Sequence, residues 1–137
     1  MGKRRTPFLR VLILAILIKE GSLHGYSLYK RILYHTRMKW KPSIGTIYRT
    51  LNEMVKEEFI MKRAENRRRN YTITSKGIDY FIKNSKAPLT KMAGVLATAL
   101  EAYLKISSIN PDMSGLLSKD LKERLKNLKK VLQKYDL

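Results

Sequence analysis

Ser43, Gly45, Thr46, Tyr48, Arg49, Asn52 and Lys56 recur along the stretch PSIGTIYRTLNEMVKEEFI (42–60), and Arg67, Arg68 and Arg69 follow as an unbroken run. These are groups for holding a polyanion rather than for breaking a bond. A guanidinium can donate two parallel N–H groups to guanine O6 and N7, and a carboxamide can donate to and accept from adenine, so Arg49 and Asn52 suit base edges. Thr46, Tyr48 and Lys56 suit phosphates or thymine methyls. Ser43 sits ahead of the free N–H groups of a helix start, where a phosphate is well received. The three arginines suit phosphates or an adjacent minor groove.

Other chemistry is sparse. With no cysteine, disulfides, thiolate zinc sites and thiol redox sensing are excluded. The two histidines, His24 and His35, stand apart from any carboxylate cluster. No glycine-rich phosphate loop or nucleophile elbow is present. The expectation is a protein that is not an enzyme and carries no metal or cofactor.

The charge balance agrees with a polyanionic partner. Against 11 Asp and Glu the chain sets 29 Lys and Arg, a formal net charge of +18. Such a chain repels itself unless an anion is near, which points to nucleic acid ahead of an anionic membrane surface. At 137 residues and 44% hydrophobic composition it is long and apolar enough to form a core. The apolar run Phe8–Ile18 follows Lys3-Arg4-Arg5 but falls short of the ~18 to 20 residues a membrane span needs. A buried helix, no membrane insertion and a cytoplasmic, nucleoid-associated protein are the corresponding expectations.

The positioning elements follow from periodicity. A first helix is expected over Pro7–Glu20 with Thr6 as N-cap and Gly21 as stop; apolar on every face from Val11 to Ile18, it must be covered on several sides. A second helix over Gly25–Thr36 shows Tyr26, Tyr29, Ile32 and Leu33 on one face. The basic connection Arg37–Lys41 ends at Pro42, which biases Lys41 away from helix. Ile44, Ile47, Leu51, Met54 and Val55 then define the apolar stripe of the 43–57 helix, with Gly45, Arg49, Asn52, Glu53 and Lys56 turned away from it. Phe59–Glu65 and Tyr71–Thr74 read as strands joined by a polar turn, Asn66–Asn70, with the three arginines at its tip.

A further helix runs to Asn84, and Ser85–Pro88 is expected to interrupt it. Beyond lie two seams of heptad rhythm, Leu89, Ala93, Leu96, Leu100 and Tyr103, then Leu121, Leu125, Leu128, Leu132 and Tyr135 in a helix from about Ser114. The class is thus mainly α with a small β-hairpin wing. Residues 1–84 read as a winged helix-turn-helix DNA-binding domain and residues 85–137 as a C-terminal helical dimerisation region. Leu96, Leu100, Tyr103, Leu121, Leu125, Leu128 and Leu132 are the expected dimer contacts.

The segments LILAILIKEGSLHGYSLYKRI, PSIGTIYRTLNEMVKEEFI and RRRNYTITSKG, in that order, resemble the PadR family of winged helix-turn-helix transcriptional regulators. The likeness covers most of residues 9–80. His24-Gly25-Tyr26, Ser43, Gly45 to Tyr48, Leu51, Tyr71, Thr74 and Gly77 carry it. It implies a dimeric prokaryotic DNA-binding regulator, usually a repressor, joined through C-terminal helices. Arg49 and Ile44 stand where the family often has proline, and Glu58 where it usually has glycine. Some members bind flat molecules at an aromatic dimer interface, which leaves room for an unknown small-molecule effector; the single tryptophan here, Trp40, lies instead before the recognition helix.

Three functions fit these residues. A homodimer could place two recognition helices in successive major grooves, ~34 Å apart, on palindromic double-stranded DNA at a promoter. A sequence-independent nucleic-acid-binding or DNA-packaging protein would use the charge and not the helix face. A protein-interaction or RNA-binding module would use the same fold, although exposed aromatics for stacking single strands are few.

Overall fold

The computed structural model describes residues 6–36, 42–113 and 115–137. The expected basic turn at 37–41 with Trp40, the Lys3-Arg4-Arg5 run and a helix start at Ser114 lie outside the described residues.

Helix α1 (Thr6–Glu20) buries Leu9, Ile13, Leu14, Ile16 and Leu17. Gly21 ends it with φ +85°, its N–H bonded to the Leu17 carbonyl at 2.8 Å. A two-residue strand β1 (Leu23–His24) leads into α2 (Gly25–Thr36). The fully buried residues of α2 are Gly25, Leu28 and Ile32; of the expected face, Ile32 is buried and Tyr29 packs partly buried against the core, whereas Tyr26 is exposed. Hydrophobicity alone put Tyr26 inside, but its hydroxyl is better placed in water. Arg31 on α2 donates to both carboxylate oxygens of Glu20 at 2.7–2.9 Å, tying the end of α1 to α2. That hydrogen bond lowers the Glu20 pKa.

Helix α3 (Ile44–Lys56) begins at Ser43, whose Oγ accepts from the Thr46 N–H at 3.1 Å. Its inner face is Ile47, Thr50, Leu51 and Met54. Thr50 is tolerated there because its hydroxyl donates to the Thr46 carbonyl at 2.9 Å. Ile44, expected on this stripe, lies in the first turn and is exposed. The helix closes in a Schellman motif: Phe59 N–H reaches the Met54 carbonyl and Glu58 N–H the Val55 carbonyl, both at 3.0 Å. This geometry needs a left-handed residue, and Glu58 supplies it with φ +66°.

Strands β2 (Ile60–Glu65) and β3 (Arg68–Ile73) pair antiparallel from Ile60↔Ile73 to Glu65↔Arg68. The turn is therefore only Asn66-Arg67, at φ +48° and +70°, as a two-residue turn of right-handed strand twist requires. Arg68 and Arg69, expected at the tip, are strand residues instead. Strand β1 adds to the other edge of β3 (Leu23↔Tyr71, His24↔Asn70), making a three-stranded sheet of order β1-β3-β2.

Thr74 joins the sheet to α4 (Ser75–Ile109). Its Oγ1 donates to the Glu58 carbonyl at 2.7 Å and accepts from the Gly77 N–H at 3.0 Å. A Cβ on Gly77 would lie 2.1 Å from the Phe59 carbonyl oxygen, so only glycine fits this crossing.

Helix α4 runs unbroken through Ser85–Pro88, contrary to the expected interruption. Proline lacks the N–H that the Asn84 carbonyl would accept, yet long helical stretches on both sides carry the helix past that one missing bond. With 18 residues of mean hydropathy 1.2, α4 is long and apolar enough to cross a membrane by length and composition. The last helix, α5 (Lys119–Lys134), is N-capped by Ser118, which accepts from Leu121 N–H at 3.0 Å. The chain divides into two compact units, Met1–Pro88 and Leu89–Leu137. The first holds all the buried hydrophobic residues; among the described residues of the second, none is buried.

Two stability effects follow. Glu58→Gly should raise stability by about 1 kcal/mol in urea melts, since it relieves a left-handed non-glycine residue. Glu20 has a lowered pKa, so its contribution is full above the ordinary carboxylate range and is lost as pH falls through the folded value. The stability gap between the wild type and Glu20→Gln should therefore be constant at neutral pH and shrink on acidification; a gap that widens would contradict the pairing.

Candidate nucleic-acid interface

Seating α3 by Ile47, Thr50, Leu51 and Met54 leaves Ser43, Gly45, Tyr48, Arg49, Asn52 and Lys56 exposed, with Thr46 half-exposed and 3.0 Å from Ser43 Oγ. Glu53, grouped with these residues on the ideal wheel, points elsewhere: it accepts from Arg10 Nη2 on α1 at 3.3 Å, and Glu57 one turn on accepts from Arg10 Nη1. The remaining outer face has no acid at positions 43–52.

Between this face, the start of α2 and the hairpin lies a cleft of about 530 Å³. Tyr48 and Asn52 line it from α3, His24, Gly25 and Tyr26 from β1 and α2, and Lys62, Arg67, Arg68, Arg69 and Tyr71 from the hairpin. Strand alternation explains the hairpin's share. One sheet face passes from the pair Ile60↔Ile73 through Lys62↔Tyr71 to Ala64↔Arg69, so the same surface begins in the core and ends in a basic cleft. Arg49, Lys56, Ser43, Gly45 and Thr46 lie on the helix outside the cleft lining.

Two contacts shape the cleft. The Tyr48 ring lies over the backbone of Gly25: a Cβ there would be 2.5 Å from Tyr48 Cε1 and 2.8 Å from its hydroxyl. Next to Gly25, Arg68 Nη1 lies 3.3 Å from His24 Nε2, which is also 3.1 Å from Ser27 Oγ. Burial, then the nearby Tyr48, raises the pKa of the Tyr71 hydroxyl, which Arg69 partly offsets. Tyr71 enters the cleft as a neutral donor.

The basic side chains are sorted. Arg10 and Arg31 are paired with carboxylates within the fold. Among the described residues, Arg49, Lys56, Lys62, Arg67 and Arg69 have no carboxylate partner. Arg67 also holds a backbone conformation that costs ~1 kcal/mol or more for a non-glycine residue. Folding alone would favour glycine at that position.

Of the residues picked from sequence, Tyr48, Asn52 and Arg67–Arg69 converge on the cleft. His24, Tyr26, Lys62 and Tyr71 also line it. None of these four was picked as a site residue from sequence: His24 and Tyr26 entered only as part of the family likeness, and the roles of Lys62 and Tyr71 depend on strand register, which composition does not give. In the second unit, Leu100, Leu121 and Leu125 are half-buried, and Leu96, Tyr103, Leu128 and Leu132 are exposed.

Comparison with known proteins places the first unit. The model of the PadR-like family of transcriptional regulators matches residues 13–83, from within α1 into α4. The transcriptional regulator YqjI of Escherichia coli is 31% identical, over 96% of this chain and 60% of its own length. The chain thus spans about three fifths of the curated relatives it matches. A transcriptional regulator from Clostridium thermocellum superposes with TM-score 0.55 at 29% identity, over 68% of this chain and 92% of that one. A PadR family regulator from Clostridium difficile shares the fold, with TM-score 0.53 and 24% identity over 68% and 98%.

The Tyr48–Gly25 contact yields a test. Gly25→Ala should leave the melting temperature within a few degrees, because the blocked atoms are the movable end of a ring, yet should weaken duplex binding by displacing the Tyr48 hydroxyl. Undiminished binding would remove Tyr48 from the interface.

Proposed function

Because the chain belongs to the PadR-like family of transcriptional regulators, we propose that it is a sequence-specific double-stranded-DNA-binding regulator whose α3 enters the major groove while the β2–β3 wing holds the adjacent backbone. The observation that carries this reading is the sorting of charge. Arg10 and Arg31 are paired with acids in the fold, whereas Arg49 on the α3 face and Arg67 and Arg69 on the wing have no carboxylate partner among the described residues, Arg67 on a strained backbone.

The roles follow from reach and chemistry. Arg49 and Asn52 stand side by side on the exposed face, where a guanidinium selects guanine and a carboxamide adenine. Thr46, Tyr48 and Lys56 contact phosphates or thymine methyls, and Ser43 and Gly45 bring the N–H groups of the helix start to a phosphate. Arg67, Arg68 and Arg69 grip the backbone beside the minor groove.

The second unit supports binding as a pair. A helical segment in which no described residue is buried has no core of its own, and its exposed apolar side chains recur in heptad rhythm. Leu96, Leu100, Tyr103, Leu121, Leu125, Leu128 and Leu132 form the homodimer contacts in this reading. Lys91, Glu101 and Lys105 along α4 favour a second copy over lipid as the cover. A dimer with two recognition helices matches a palindromic promoter site, where occupancy blocks transcription and acts as repression.

Two substitutions test the division of labour. Arg49→Ala should cost about 1 to 3 kcal/mol on a selected operator and relax one base position. Equal weakening on selected and random duplexes would show that Arg49 does not read a base. Arg67→Gly should stabilise the fold by relieving the turn, weaken all duplexes alike, and reduce the salt slope by about one. An unchanged slope would take Arg67 off the backbone.

A further inference from the structure

We infer that Arg10, on α1, is a positioning residue for base recognition, acting through Glu53 and Glu57 at the C-terminal end of α3. This rests on the reading that α3 contacts base edges.

Arg10 is held in a single geometry. Its side chain is only 11% exposed, whereas those of Glu53 and Glu57 are about half exposed. One guanidinium nitrogen donates to Glu57 and the other to Glu53 at 3.3 Å, so the planar fork spans two carboxylates one helical turn apart. Its Nε is buried without a hydrogen-bond partner among the described residues, a penalty that a merely solvating contact would not carry. Burial opposes the charged form, but hydrogen bonding and attraction to Glu57, with Glu53, raise the Arg10 pKa above its ordinary value.

The consequence for α3 is geometric and electrostatic. The apolar stripe fixes which side of the helix is buried, but apolar contacts are not directional and allow rotation and sliding. A fork anchored on α1 and gripping positions 53 and 57 removes that freedom in the half of the helix that follows Arg49 and Asn52. Bidentate base contacts tolerate little error in position, so discrimination is lost before affinity. The same fork offsets one of the two negative charges that Glu53 and Glu57 bring to an element that approaches phosphate.

The two effects are separable because they change DNA binding in different ways. Glu53→Gln/Glu57→Gln replaces the charge-assisted grip with weaker neutral acceptors and removes two negative charges from half-exposed positions, creating no cavity. If the acids matter only as charge, affinity for every duplex rises together. If they hold the helix, affinity for random duplex rises while preference for the correct sequence falls.

The test uses the full chain, a duplex selected from a random pool by the wild type, and an unrelated duplex of equal length. The expected result for the double variant is a specificity ratio reduced about tenfold, comparable to losing one base pair's discrimination, with random-duplex affinity unchanged or higher. Arg10→Lys keeps the charge but presents one point donor that cannot bridge both acids; its ratio should fall between the two. A wild-type ratio well above one that neither variant changes would overturn the positioning role alone. A wild-type ratio near one would overturn the base-reading premise and this inference with it.

Discussion

The interface depends on how α3 is seated. Ile47, Leu51 and Met54 are fully buried in the same cluster as Ile13, Leu14 and Leu17 of α1 and Leu28 and Ile32 of α2. Each such side chain contributes about 1.5–3 kcal/mol by leaving water, so turning the helix to bury another face would cost several of these at once. With that stripe inward, the wheel leaves Arg49 and Asn52 outward. The chemistry of the exposed face is thus set by the packing of the opposite one.

A second constraint is the corner where α3, the sheet and α4 meet. The Schellman closure at Glu58, the Thr74 hydroxyl on the Glu58 carbonyl and the close approach of Gly77 to Phe59 fix the angle at which the hairpin leaves the helix. The hairpin in turn sets the cleft, since the Lys62↔Tyr71 pair and Arg69 share one sheet face. Positive φ marks both ends of the hairpin: Glu58 at this corner, Asn66 and Arg67 at the far tip. At Glu58 the strain belongs to a helix stop that glycine would serve better. At Arg67 a guanidinium is retained despite it, and function explains that choice where folding does not.

Much of this was legible in the residues. Ser43 at a helix start, Gly21 as a stop and the 3.6-residue stripe of α3 are local signals; the first two appear as expected, and the stripe does so at Ile47, Leu51 and Met54 but not at Ile44. The family likeness rested on motifs spread over the same region. What escaped was non-local. Strand β1 has two residues and exists only because β3 offers an edge. The true hairpin tip depended on two residues accepting positive φ, which an Asn-Arg pair does not advertise as Asn-Gly would. Pro88 read as a break because its missing N–H is a local fact, while helix continuation is a cooperative one. Glu53 read as part of the outer face because no periodicity reveals an arginine waiting on another helix.

The measurement that bears most directly on the function is equilibrium binding of the full chain to its own upstream region, with an unrelated duplex of the same length measured in parallel across a salt series. A base-reading α3 predicts that both affinities fall with salt while the first stays at least about a hundredfold tighter. Equal affinities at every salt concentration would contradict it, leaving the charge of the cleft without a sequence to read.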